Sequence, residues 1–212
     1  MSLTRQTHWD AVYSEKGEAQ TSWFRPHLDE SLRLIDALDL PRDLPVIDIG
    51  GGRATLVDDL LLRDFGDVSV LDLSAVAMAE TQQRLGAQAH PVHWIVGDVT
   101  HTDFPAAHYA LWHDRAVFHF LTDADDQQRY VAAARSAVRP GGYLVIGTFA
   151  ADGPERCSGF AVARYDATTL AAQFAPCFTL ITESRDVHHT PSGNEQAFTY
   201  VVLQRRSDDI GA

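Results

Sequence analysis

The sequence holds no apolar run near the ~20 residues that a membrane-crossing helix needs, and its opening residues, Met1 to Trp9, contain no apolar stretch like the core of a secretory signal. These absences set the expectation of a cytoplasmic protein with no membrane partner. Cysteine is scarce. Cys157 and Cys177 stand apart with no Cys-x-x-Cys spacing, which argues against a structural disulfide and gives neither a zinc pair nor a redox motif. Basic runs are short, Arg205-Arg206 among them, and the formal net charge is −12. Such a chain repels a phosphate backbone, so nucleic acid is not an expected partner. The histidines are scattered and form no His-x-x-x-His pair, so no metal is expected, although His113 and His119 could meet in space. Internal repeats and low-complexity tracts are absent.

What is present suits one domain with a small cap: 212 residues, 45% apolar and 22% charged. The chain is organised around residues 46–54. Val46-Ile47-Asp48-Ile49 has the pattern of a short buried strand and runs straight into Gly50-Gly51-Gly52, after which Leu56, Val57, Leu60 and Leu61 recur at helical spacing. That is a strand, a tight turn and a helix, the place where an open α/β sheet binds ligands. Glycine there lets the backbone turn with positive φ and lets a ligand approach without meeting a Cβ. A dinucleotide fingerprint would need a glycine at 55, where the chain has Thr55, so that pattern is incomplete.

Ahead of this unit, Trp9, Val12 and Tyr13 predict a short helix over 4–17 ended by Gly17, and Pro26 is placed to open a second helix carrying Leu28, Leu32, Ile35 and Leu38. The loop between them holds Trp23-Phe24, either packing against the core or acting as a lid. Beyond it come a second strand, Val68–Leu73, ending at Asp72 with Ser74 able to cap a helix, and a third, Val92–Val96, followed by Asp98 and Val99. Asp72 is placed to accept hydrogen bonds from a ribose diol. Each of three successive strands thus carries an acid at or near its end.

The fourth strand, Tyr109–His113, leads into Asp114-Arg115 and a Phe118-His119-Phe120 run. His113 is the better candidate for binding or general-base work, since strand ends face the pocket and imidazole titrates near neutrality. Asp114-Arg115 is either part of that site or an ion pair holding the loop, and His119 reads as a core histidine. A helix over 125–138, an Arg139-Pro140-Gly141-Gly142 turn, a strand over 143–149, a polar loop over 150–164, a helix over 168–174 and two closing strands, 178–184 and 197–203, complete the chain. His188 to Gly193 is expected as the loop between those two strands, which its length makes antiparallel.

Asp48-x-Gly50-x-Gly52, the acids Asp72 and Asp98 and the Arg-Pro-Gly-Gly turn together resemble the class I S-adenosylmethionine (SAM)-dependent methyltransferases over about residues 44–150, with Ala54 where the family has a third glycine. The Trp9-x-x-x-Tyr13 and Ser22-Trp23-Phe24 N-terminus with His113-Asp114-Arg115-Ala116 looks, more narrowly, like small bacterial methyltransferases distantly similar to eukaryotic lysine methyltransferases acting on elongation factor 1A or citrate synthase. The resemblance implies a Rossmann-like α/β fold: a seven-stranded, mostly parallel sheet of order 3-2-1-4-5-7-6, helices on both faces and the last strand antiparallel. Residues 1–40 would be a helical cap, 41–206 the SAM-binding domain and 207–212 a flexible tail.

It also implies SAM as cofactor and S-adenosylhomocysteine (SAH) as product. Asp48, Gly50, Gly51, Gly52 and Arg53 would hold the methionine part, Asp72, Leu73 and Ser74 the ribose, and Asp98 with Val99 the adenine. His113, Asp114 and Arg115 would stand nearest the acceptor, with Tyr13, Trp23 and Phe24 closing over the cofactor. The expected acceptor is a small molecule, with protein lysine second, and the expected assembly a monomer or weak dimer. An NAD(P)-dependent oxidoreductase and a SAM-binding protein without turnover stay open as alternatives.

Overall fold

The computed structural model describes residues 2–15, 21–175 and 177–207; the helix stop expected at Gly17 and the tail beyond 207 lie outside them. Helix α1 (Ser2–Glu15) precedes α2 (Asp29–Asp36), and then β1 (Val46–Ile49), α3 (Leu56–Leu62), β2 (Val68–Asp72), α4 (Ala75–Leu85) and β3 (His93–Val96) alternate. There follow β4 (Tyr109–Arg115), α5 (Ala124–Ala137), β5 (Val138–Phe149), α6 (Ala167–Phe174), β6 (Phe178–His189) and β7 (Glu195–Arg205). A two-residue-per-strand hairpin, Arg156–Cys157 with Phe160–Ala161, interrupts the link from β5 to α6.

These seven strands form one sheet in the order β3-β2-β1-β4-β5-β7-β6, parallel except for β7, which pairs antiparallel with both neighbours. This is the order the family resemblance implies. Every residue of β1 and β2 is buried, as expected for parallel strands covered by helices on both faces. The two-residue side-chain period divides the core. Val46, Val70, Val145 and Phe198 face α2, α3 and α4, whereas Ile47, Leu71, Leu144 and Val201 face α5 and α6. Leu32, Leu34 and Ile35 of α2 belong to the first of these cores, so α2 is packed into the sheet while α1 lies over its strand ends.

Three boundaries differ from the sequence expectation, each for a local reason. Helix α2 starts three residues after Pro26, because the chain through Thr21–Arg25 is tied elsewhere. The Arg139–Gly142 turn is absorbed into β5 as an irregularity of its pairing with β4, with Gly141 at φ +76° supplying the reversal. Strand β6 runs on through His189, so His188 is a strand residue and only 190–194 turn. His188 is buried there. Its Nε2–H donates to the Ser22 carbonyl at 2.7 Å and its Nδ1 accepts from Arg25 Nε at 2.9 Å. Burial and the nearby arginines hold its pKa down at about 4, so it is a neutral clasp. The Arg25–Asp186 ion pair at 2.7 Å fastens the same loop to the same strand.

Opposite this clasp, Trp112 Nε1 donates to Tyr130 Oη at 2.9 Å, and Tyr130 Oη donates to Asp114 Oδ2 at 2.6 Å. Both Tyr130 and Asp114 are fully buried, so the hydroxyl satisfies two groups that no solvent reaches. Tyr130→Phe is therefore expected to destabilise the fold by about 1–3 kcal/mol, read as a lower urea midpoint with an unchanged m-value.

Candidate active site

The glycine loop after β1 is held tightly from below. Gly50 N–H donates to the Leu71 carbonyl at 2.7 Å, and the residue sits at φ +71° with so little room that a Cβ would fall 2.1 Å from Val117 Cγ2. Gly52, at φ +36°, is also enclosed: a Cβ there would lie 2.8 Å from Asp72 Oδ2 and 2.9 Å from Tyr13 Oη. Ala54, where the family has a third glycine, lies outside the left-handed region, so alanine suits its backbone. Thr81 and Arg84, both on α4 and unnoticed in the sequence, complete the support. Thr81 Oγ1 donates to the Gly52 carbonyl at 2.6 Å, and Arg84 donates to the carbonyls of Arg53 at 3.1 Å and Ala54 at 2.9 Å.

The three acids meet at one cavity over the carboxyl ends of β1, β2 and β3. Asp48 and His113 are register partners on neighbouring strands. His113 Nδ1 lies 2.7 Å from Asp48 Oδ1 and Nε2 lies 2.8 Å from Ser31 Oγ, all three residues being buried. A carboxylate only accepts, so the ring donates from Nδ1, and with that tautomer Nε2 accepts the hydrogen bond of the Ser31 hydroxyl. With both nitrogens engaged, His113 orients Asp48 and is itself oriented by α2. Ser31, missed in the sequence because a helix serine carries no motif, is the third member of this set.

Asp72 Oδ1 accepts from Ser74 N at 2.8 Å. Burial pushes the Asp72 carboxyl up to about 7, with Asp48 and Asp10 raising it further and the amides of Ser74 and Gly52 opposing them. Asp98 accepts from Thr100 N at 3.0 Å and Thr100 Oγ1 at 2.7 Å through Oδ1, beside the buried Val99. Ser74 is fully buried and faces the helices. It caps α4 by accepting from Ala77 N at 3.2 Å, and its hydroxyl donates to Asp10 of α1 at 2.6 Å.

At the end of β4 the side chains part. Asp114 turns away from the cavity, accepting from Val117 N at 2.8 Å, Phe118 N at 3.0 Å and the Tyr130 hydroxyl, and burial raises it to about 6. It is a brace for the turn. Arg115 lines the cavity. His119 is fully buried beneath Phe149 and Phe120, and burial together with the Arg115 charge lowers it to about 3. Above, Trp9 meets Trp23 at a ring separation of 5.7 Å and Phe120 at 5.3 Å, while Tyr13 meets Trp23 at 6.0 Å. Arg53 pairs with Glu80, donates to the Tyr13 carbonyl and lies 5.1 Å from the Tyr13 ring.

Of the residues singled out in the sequence, Asp48, Gly50, Gly51, Arg53, Asp72, Leu73, Asp98, Val99, His113, Arg115, Tyr13, Trp23 and Phe24 line this one cavity. Gly52, Ser74 and Asp114 stand behind it. Among the described residues, no group of three or more His, Cys, Asp or Glu side chains converges to hold a metal, and no helix is long and apolar enough to cross a membrane.

A glycine loop that tolerates no Cβ, with acids at the ends of β1, β2 and β3 around one aromatic-walled cavity, fits a nucleoside bearing an amino-acid arm. The sheet order, with its one antiparallel strand, is that of the Rossmann-like fold found in SAM-dependent methyltransferases. Residues 46–142 match the methyltransferase domain family. The mouse (Mus musculus) eEF1A lysine and N-terminal methyltransferase is 23% identical over 146 residues, which span 66% of this chain and 21% of that protein. The chain thus covers about a fifth of that relative's length. Among solved structures, the 1,6-didemethyltoxoflavin-N1-methyltransferase of Burkholderia thailandensis, with 1,6-didemethyltoxoflavin and SAH bound, superposes with a TM-score of 0.72 at 21% identity, over 96% of this chain and 89% of that one. The N-methyltransferase NodS of Bradyrhizobium japonicum, with SAH bound, gives 0.69 at 16% identity, over 92% and 97%.

The raised Asp72 pKa has two consequences of opposite sign. A carboxyl that is harder to ionise in the fold than in the unfolded chain costs the fold stability once the unfolded chain can ionise, so apo stability is full below about pH 4 and falls as pH rises to about 7. A ligand hydroxyl that donates to Asp72 needs its ionised form, so the affinity of any ligand held this way, with SAH as the probe, is expected to weaken about tenfold per pH unit below 7. Asp72→Asn should abolish that pH dependence, weaken SAH strongly and raise the apo melting temperature at pH 8. Calorimetry and thermal melts across pH 5–8 check all three.

Proposed function

We propose that this protein transfers the methyl group of SAM to a nucleophilic small molecule. The observation that carries the choice is the roof of the cavity. Trp9 and Tyr13 of α1, Trp23 of the following loop and Phe120 beyond β4 interlock edge to face across the cavity. A small acceptor fits beneath such a roof. The bound didemethyltoxoflavin of the Burkholderia structure is consistent with that reading.

SAM, when bound, supplies a methyl on a sulfonium: the acceptor's lone pair makes the new bond, and the electron pair of the broken sulfur–carbon bond stays on sulfur. The work left to the chain is binding, orientation and exclusion of water. Gly50 and Gly51 let backbone lie against the methionine part, with Asp48 fixed for its ammonium by His113 and Ser31. Asp72 would hold the ribose and Asp98 with Val99 the adenine. Arg115, Trp23 and Phe120 would face the acceptor. His113 serves by positioning Asp48, because both its nitrogens are bonded within the protein.

A protein-lysine acceptor is the second reading, favoured by the eEF1A methyltransferase relative. We further place the protein in the cytoplasm as a monomer or weak dimer that does not bind nucleic acid, in keeping with its charge of −12.

Calorimetric titration with SAH and NADH side by side tests the cofactor. Micromolar SAH binding with no NADH signal is expected. The reverse would make Asp72 a dinucleotide-ribose ligand and the protein an oxidoreductase.

A further inference from the structure

The acceptor end of the cavity carries one uncompensated charge. Four arginines line the cavity. Arg5 pairs with Asp126 at 3.4 Å, Arg25 with Asp186 at 2.7 Å and Arg53 with Glu80. Arg115 alone among them has no carboxylate within ion-pair distance among the described residues. Its guanidinium is nevertheless held on three sides. The carbon lies 4.5 Å over the Phe198 ring, Nε donates to Tyr200 Oη at 3.2 Å, and Nη1 donates to the Trp23 carbonyl at 3.4 Å. The remaining nitrogen, Nη2, is buried and has no partner.

This hold depends on a gap in the neighbouring strand. Arg115, Gly147 and Tyr200 are register partners on β4, β5 and β7. A Cβ at Gly147 would lie 2.5 Å from the Tyr200 ring, so only a glycine lets that ring lie across β5 and reach Arg115. Close by, His119 accepts the Phe149 amide at Nδ1, at 3.3 Å, which puts its proton on Nε2, and that buried N–H also lacks a partner. A rigid cation with unmatched donors in a low-dielectric wall is a site for an anion. The acids of the cavity lie at its cofactor end or, in Asp48, are engaged by His113, so they do not neutralise it.

We propose, building on the methyltransferase reading above, that Arg115 is the specificity-determining residue of the acceptor subsite. The acceptor is a small aromatic or heteroaromatic molecule bearing a carboxylate or other oxyanion, its ring against Trp9, Trp23 and Phe120 and its anion on the Arg115 guanidinium. The anion is the anchor, and the methylated atom lies elsewhere on the same ring. A protonated lysine side chain would meet the unpaired guanidinium as a like charge.

Three probes of one shape separate the possibilities: 3-hydroxybenzoate, the neutral 3-hydroxybenzamide and the cationic 3-hydroxybenzylamine. Each is titrated by calorimetry and tryptophan fluorescence into wild type, Arg115→Met and Gly147→Ala, all saturated with SAH. The carboxylate is expected to bind wild type about 10- to 100-fold tighter than the other two. Arg115→Met should abolish that preference while SAH affinity stays within about threefold. Gly147→Ala, which keeps the charge but displaces Tyr200, should weaken it. SAH affinity and melting temperature report whether each variant is folded. Preference for the amine, no carboxylate binding at millimolar concentration, or a carboxylate preference that survives Arg115→Met would each overturn the inference. Failure of wild type to bind SAH at all would instead strike the cofactor assignment on which it rests.

Discussion

The bond between Asp48 and His113 is the constraint on which the site depends. It joins the two central strands of the sheet at the point where the chain leaves β1 for the glycine loop, and Ser31 extends it to α2. A carboxylate buried in such a place is costly unless it is paired and its lone pairs are used, and removing one partner of such a set costs about 3–5 kcal/mol. The pair therefore fixes more than one acid. It sets the direction of the Asp48 carboxylate beneath Gly51, where its Oδ2 would touch any added Cβ at 2.7 Å. That contact in turn dictates how tightly the loop must turn. The packing of α2 against the sheet and the shape of the cofactor end are thus parts of one arrangement.

Asp72 shows the opposite compromise. No cation pairs with its charge among the described residues, and two amides do not repay its burial, so it sits with its pKa near neutrality. A group so placed destabilises the empty fold and is relieved by a ligand that donates hydrogen bonds. Binding energy at this position is stored in the protein as unmatched polarity, which is how active sites commonly differ from cores. Asp48 is satisfied from within and Asp72 awaits its partner, although both sit at the ends of adjacent strands and looked alike in the sequence.

That likeness marks how far the sequence could be read. The strand-glycine-helix unit and the acids at successive strand ends followed from local pattern, because buried parallel strands and a Cβ-free turn leave strong local signatures, whereas the sheet order followed from the family resemblance alone. The cavity accordingly gathers most of the residues chosen from those patterns. What local pattern could not reveal was direction. Asp114 and Arg115 are neighbours on one strand and point to opposite faces, so one braces a turn against Tyr130 and the other enters the cavity. His113 has the chemistry of a base but is spent as a positioning group. Ser31, Thr81 and Arg84 act through helix faces that meet the loop only after folding. Two histidines beside a proline and a glycine lack a strand's alternation and read as a loop, yet the burial of His188 against Ser22 and Arg25 extends the strand.

The two halves of the cavity differ in the same way. The half proposed to hold the cofactor is built from residues 48–99, close in sequence and carried on consecutive strand ends, so its chemistry is written in one stretch. The proposed acceptor half is assembled from Trp9, the Trp23 carbonyl, Arg115, Phe120, Phe198 and Tyr200, which come from both termini and the middle of the chain. The His188–Arg25–Asp186 clasp links these parts, since it ties the loop carrying Trp23 to the hairpin carrying Phe198 and Tyr200. A change in that hairpin can therefore move the Trp23 carbonyl and the Arg115 guanidinium together without touching the glycine loop. Such a division lets a common cofactor-binding frame hold while the acceptor end varies, and it places the determinants of acceptor choice where pairwise motifs in sequence are least able to show them.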